Sequence, residues 1–184
     1  MSTTKIMIIR HAEKPSKDGS IVGISDKGNP DPEELTVRGW QRAGALVRFF
    51  APASNQFSHP ALAKPDVIFA SRVAPHSKSF RAQHTVSILA AFLGIDLNLR
   101  HAKGEEDALV TDALSQSGTV LIAWEHEAIP GIVGGLVRAN RSIPQNWPDD
   151  RFDIVWIVNP SSASDFTQVP QMLLPGDSPK PIPV

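Results

Sequence analysis

Residues 5–13 read Lys5-Ile6-Met7-Ile8-Ile9-Arg10-His11-Ala12-Glu13. A short, unbroken apolar run stopped by charge predicts a buried β-strand. The same pattern returns downstream. Residues 66–70 (DVIFA) and 119–124 (TVLIAW) read as two more buried strands. Residues 152–159 are a last clear strand, and 166–169 read as an edge strand. Helical signals lie between them. Thr36 is a good N-cap. After it, Val37, Trp40, Ala43, Val47 and Phe50 recur at helical spacing until Pro52. Residues 80–93 place Val86, Leu89 and Leu93 on one face and end at Gly94, and residues 105–117 end at Gly118. Pro130 opens a further helix running to about Arg138, at a position where proline is favoured. Residues 15–34 and 71–79 read as loops. Residues 175–184 form a proline-rich tail, expected to be extended.

Apolar strands alternating with helices predict a three-layer α/β sandwich around a mainly parallel central sheet. The 184 residues suit a single domain, 1–184, large enough to bury a true core. A hydrophobic fraction of 41% and a charged fraction of 20% are those of an ordinary soluble globular protein. The net charge of −1 gives no bulk field for nucleic acid or an acidic membrane. With no cysteine, disulfides, zinc–thiolate sites and thiol nucleophiles are excluded. The run Ile6 to Ile9 is too short for a signal segment, and no stretch approaches membrane-spanning length, so the expected location is the cytoplasm.

In open parallel sheets, ligands bind beyond the carboxyl ends of the strands. The first strand ends in Arg10 and His11, and 119–124 ends in Glu125-His126. The loop after 66–70 begins at Ser71 and delivers Arg81 into the first turn of the next helix. A histidine beyond a strand is usually a polar rim residue; two histidines and two arginines at one edge point to chemistry. Arginine offers a phosphate dianion planar donors that never lose their charge. Arg81, near a helix N-terminus, adds free N–H groups and the favourable end of the dipole. A neutral histidine held in one tautomer can accept a phosphoryl group and split one displacement into two. A second histidine can stabilise charge on the transferring group.

The blocks Ile8-Ile9-Arg10-His11-Ala12-Glu13, Leu35-Thr36-Val37-Arg38-Gly39 and Arg81-Ala82-Gln83-His84-Thr85 resemble, in order, three signatures of the histidine phosphatase superfamily, which includes the phosphoglycerate mutases. Residues 120–126 are similar to the strand that carries its second histidine. The resemblance implies a phosphoglycerate mutase-like fold and phosphatase activity without a cofactor or metal. It implies that His11 is the phosphorylated nucleophile, with Arg10, Arg81 and His126 binding the phosphoryl group. The proton donor would fall in Gly104-Glu105-Glu106-Asp107, with Glu106 favoured over Glu105, although acidic residues suit any first helical turn. Ser71 would bind substrate, although an ST-turn explains it as well.

Departures from the pattern are specific. Ala12 stands for the usual glycine, His84 for a glutamine, and Glu125 for the glycine before the second histidine. Glu125 would add negative charge to a phosphate pocket unless it points away or pairs with a cation. Lys78 can reach the pocket, with a solvated role favoured. Trp147 is the tryptophan best placed to touch substrate, although packing is the favoured reading. His59, His76 and His101 read as surface residues, and a metal site from His126, Glu127 and His76 lacks helical ligand spacing. The expected substrate is a phosphorylated small molecule or a phosphoprotein. The alternatives are mutase-type phosphoryl transfer, disfavoured by the short chain, and a non-catalytic module that binds a phospho-ligand.

Overall fold

The computed structural model describes residues 5–137, 142–160 and 166–184. The apolar run after Lys5 becomes β1 (Lys5–Arg10). Along the chain follow α1 (Val37–Phe50), β2 (Val67–Ala70), α2 (Arg81–Leu93), β3 (Leu97–Asn98) and α3 (Glu106–Ser115). Then come β4 (Thr119–Trp124), α4 (Ile129–Leu136), β5 (Ile154–Val158) and β6 (Phe166–Pro170). The six strands form one sheet in the order β3-β2-β4-β1-β5-β6. β3, β2, β4 and β1 pair in parallel, while β5 runs antiparallel to β1 and β6 antiparallel to β5. The sheet is therefore mainly parallel, and β1 and β4 lie side by side at its centre.

Side chains alternate across these strands with the period of two that a pleated strand requires. Met7, Ile9, Leu121, Ala123 and Val155 pack with Leu46 and Phe50 of α1 and Val86 and Leu89 of α2. Ile6, Ile8, Ile122, Trp124 and Trp156 pack with Leu109 of α3 and Ile132 and Val133 of α4. Helices thus cover both faces, giving the three layers expected. Each fully buried large aliphatic side chain contributes roughly 1.5–3 kcal/mol.

Three features differ from the sequence reading. β3 has two residues, too few for a periodic signal, and is specified by its pairing to β2. The buried face of α1 is rotated: Val37 is exposed, while Arg42 is buried. The Arg42 guanidinium bonds Glu13 (Nη2 to Oε1, 2.8 Å), Asp177 (Nη2 to Oδ1, 2.7 Å) and Gln171 (Nη1 to Oε1, 2.8 Å). Charge pairing has overridden hydropathy at that position. The tail, finally, is strapped down. Ile182 joins the core and exchanges hydrogen bonds with Gln168, and Asp177 accepts the amides of Leu173 and Leu174. The expected end of α4 near Arg138 lies outside the described residues. Among the described residues, no helix is long and apolar enough to cross a membrane.

Asp177→Ala leaves the Arg42 guanidinium buried and short of a partner. We expect a loss of about 3–5 kcal/mol in urea unfolding, the range for breaking a buried pair from one side. An unchanged midpoint would show that Asp177 holds nothing.

Candidate functional site

The chain leaving β1 is clamped by three elements. Arg10 lies opposite Trp124 in the β1–β4 register, and His11 N–H extends that ladder to Trp124 C=O at 2.9 Å. Ala12 N–H donates to Thr85 Oγ1 at 2.7 Å, and that hydroxyl donates to Arg81 C=O, also at 2.7 Å. Thr36 N–H donates to Glu13 C=O at 2.9 Å, and Thr36 caps α1 by accepting Gly39 N–H at 3.1 Å. A Cβ on Gly39 would sit 2.6 Å from Glu13 C=O, so only glycine admits this approach. Four separated sequence blocks meet here because β4, α2 and α1 each bond the same short loop.

His11 is 6% exposed. Its Nδ1 lies 2.7 Å from Ala12 C=O. A carbonyl only accepts, so Nδ1 carries the proton and Nε2 keeps its lone pair. Burial, with the charges of Arg10, Arg81 and Lys14 in the same direction, pushes the imidazole down to about 3. It is neutral over the physiological range.

Arg10 is buried beside it. Its Nη1 donates to the carbonyls of Asp149 (2.7 Å), Arg151 (3.1 Å) and Pro148 (3.2 Å). Its guanidinium carbon lies 3.9 Å from the centroid of the Phe152 ring, a cation–π distance. Nε and Nη2 are buried with no hydrogen-bond partner among the described residues. Burial lowers the guanidinium to about 10, still charged at neutral pH. Arg81 donates from Nε to Glu34 C=O (3.3 Å) and from Nη2 to Pro32 C=O (2.7 Å). Lys14 is pushed down by burial and then by Arg10, with Arg81 adding to the effect. His126 Nε2 lies 2.6 Å from Asp149 Oδ1, and burial followed by the charge of Arg10 lowers it. Arg10, His11, Arg81 and His126 thus share one electrostatic neighbourhood.

Two members escaped the sequence reading. Lys14 directly follows the Arg10–Glu13 block, and that position was its only signal. Asp149 lies 23 positions from His126 in the sequence, and nothing local marks it.

The other expected residues sort by their bonds. Glu105 Oε2 accepts Ala102 N–H, and Glu105 pairs with Arg72. Glu106 Oε1 instead accepts Trp124 Nε1–H (3.0 Å) and Gly104 N–H (2.9 Å), which ties it to the carboxyl end of β4. Ser71 enters through its carbonyl, which accepts Gln83 Nε2–H. Glu125 pairs with Lys103, a lysine rather than an arginine. His84 bonds Glu34 at 2.7 Å between Trp40 and Phe80. Lys78 is exposed. Trp147 is a core residue, 4% exposed, tilted against Trp156 with its indole N–H on Arg151 C=O, the packing role favoured for it. His101 is no free surface residue either, for it pairs with Asp112 and stacks on Phe69. His76 Nε2 bonds Lys103 C=O, and among the described residues no group of three or more His, Asp or Glu is placed to hold a metal ion.

Neither a protein-family model nor a curated protein sequence matches the chain. Solved structures do. The protein histidine phosphatase SixA complexed with tungstate is 12% identical, with a TM-score of 0.51, over 91% of this chain and 97% of that one. A mutant phosphoserine phosphatase from Entamoeba histolytica in complex with phosphoserine is 14% identical, with a TM-score of 0.50, over 84% of this chain and 89% of that one. Both are histidine phosphatase superfamily members, and the chain has their phosphoglycerate mutase-like fold.

The neutral His11 carries a pH signature. Its folded value, about 3, lies below the ordinary 6.5. Between these values the unfolded chain binds a proton that the folded chain refuses, so stability falls as pH drops through this window. His11→Asn should flatten that fall by up to about 1.4 kcal/mol per pH unit in urea titrations. An unaltered slope would mean that His11 is charged in the fold.

Proposed function

We propose that this chain is a phosphatase that hydrolyses a phosphomonoester, on a small molecule or a protein, through a phosphohistidine on His11. One observation carries the reading: His11 is neutral, held by Ala12 C=O with Nε2 free, among Arg10, Arg81 and Lys14. That is the state a histidine nucleophile needs beside a dianion. The fold supports the reading, since the two solved structures just described are phosphatases.

The Nε2 lone pair forms a bond to phosphorus as the ester P–O bond breaks. The leaving oxygen takes that electron pair and a proton from Glu106, whose Oε2 is not engaged by the Trp124 and Gly104 bonds. Water then attacks phosphorus and passes a proton to Glu106. The P–N bond breaks, and inorganic phosphate leaves with the Nε2 lone pair restored. The unpaired Nε–H and Nη2–H of Arg10 serve as donors to the phosphoryl oxygens, joined by Arg81, His126 and Lys14. Ser71, at the end of β2, is a further substrate contact in this reading. The Asp149 carboxylate is 71% exposed and gives up His126 to the arriving dianion. Hydrolysis is favoured over return of the phosphoryl group to a bound sugar acid, because so exposed a rim admits water.

Phosphate release from p-nitrophenyl phosphate should be lost in His11→Ala. Arg81→Ala should lower it by about 10²–10³-fold, as loss of one oxyanion donor does. Release that survives in His11→Ala would sink the phosphohistidine route. Phosphate binding without release in wild type would make the chain a binding module, and interconversion of 3-phosphoglycerate would make it a mutase. Glu106→Gln separates the proton donor. It should slow an alkyl phosphate at least about tenfold more than p-nitrophenyl phosphate, whose leaving group needs no proton. Equal slowing of both would assign that role elsewhere.

A further inference from the structure

Residues 15–34 build a cavity of about 250 Å³ that the phosphoryl chemistry does not use. Its walls are Pro15, Ile21, Val22, Pro30 and Pro32, with Ser16 and Asp31 as their polar neighbours. The loop's polar groups are spent on one another. Ser16 and Ser20 hydroxyls both donate to Asp18 Oδ1, Ile21 N–H donates to Ser16 Oγ, and Asp31 Oδ1 accepts Glu33 N–H. What remains for a guest is carbon.

The cavity is held in shape. Asp31 N–H donates to Gly23 C=O at 2.9 Å, and a Cβ on Gly23 would sit 2.1 Å from Asp31 C=O, so glycine alone lets the two limbs close. Ile24 C=O accepts the indole N–H of Trp40, which fixes the loop to α1. Ile21 and Val22 nevertheless stay 56% and 52% exposed. Two adjoining β-branched side chains held at a cavity mouth by a rigid loop are a surface built to be covered.

Both limbs run into the cation cluster. Pro15 directly follows Lys14, and Pro32 C=O accepts Arg81 Nη2–H at 2.7 Å. A group seated in the cavity therefore adjoins Lys14 and Arg81, two of the three cations that act on His11.

We infer that this cavity seats the apolar part of the substrate, an alkyl or aryl group esterified to the phosphoryl group. The inference rests on the phosphatase reading above. The cavity lies below the 300–1,000 Å³ typical of drug-sized ligands, so one or two rings, or a short alkyl chain, fill it. Asp31 at its edge opposes a leaving group that carries a second anion, such as a sugar acid.

The test pairs substrates whose leaving groups are chemically alike, 2-phenylethyl phosphate and ethyl phosphate. Wild type should prefer the first by about tenfold or more in kcat/KM, as burial of a phenyl ring implies. Ile21→Ser combined with Val22→Ser changes only exposed positions, and it should bring that ratio near unity. In parallel, calorimetry on wild type should find 2-phenylethylphosphonate bound about tenfold tighter than ethylphosphonate. No preference in either assay, or a ratio that survives the double substitution, overturns the inference. Phosphonate discrimination with no turnover of either ester would instead overturn the phosphatase reading while supporting the apolar seat.

Discussion

A guanidinium buried at the centre of the sheet, with two donors left unpaired, is the constraint around which this molecule is organised. Arg10 ends β1 where β1 meets β4, and Nε and Nη2 have no acceptor among the described residues. An unsatisfied buried donor costs about 1–3 kcal/mol, more when charged. The fold offsets this on the other side of the group. Three carbonyls from the 148–151 turn converge on Nη1, and the Phe152 ring lies against the guanidinium plane. The charge is solvated by protein on one side, and its other side is the one that meets the anion in the proposed function. Oxyanion stabilisation needs donors of this kind, placed before the charge arrives.

Such an arrangement holds only if the backbone around it does not relax. Glu13, two residues beyond His11, meets Arg42 from α1, and Asp177 from the tail closes the same cluster. Ala12 is held by Thr85 and Glu13 by Thr36. The proposed nucleophile thus sits on a segment fastened to both helices of one layer and to the last residues of the chain. The tail beyond β6 is a structural member: through Asp177 and Arg42, its burial fixes the geometry two residues from His11.

What the sequence disclosed follows the range of the forces involved. Period-two and period-3.6 patterns are local, so β1, β2, β4 and the four helices were legible, as was Thr36 as a cap. Arg10, His11, Arg81 and His126 were legible because a parallel sheet delivers every strand end to one edge. The misreadings involve partners far apart in the chain. Arg42 looks like a solvated helix residue until Asp177, 135 positions away, is placed beside it. Asp149 has no signal because its meaning comes from His126 and Arg10, and the latter is 139 positions distant.

One set of charges does two jobs in this site. In the proposed function Arg10, Arg81 and Lys14 attract the dianion, and the same three charges, after burial, keep His11 unprotonated. A solvated histidine near an incoming phosphate would gain a proton and lose its nucleophilic lone pair. Here the fold holds the cations in place beforehand, so in the proposed mechanism anion affinity and nucleophile activation would rise together. The same electrostatics explain where the acids lie. Glu125, beside His126 in sequence, is drawn off by Lys103, and Glu13 by Arg42. Asp149 sits against the cluster on His126 and Glu33 on Arg81, with 71% and 44% of their side chains exposed. A buried carboxylate there would cancel the field permanently. An exposed one compensates the charge of the resting protein and yields to a stronger anion.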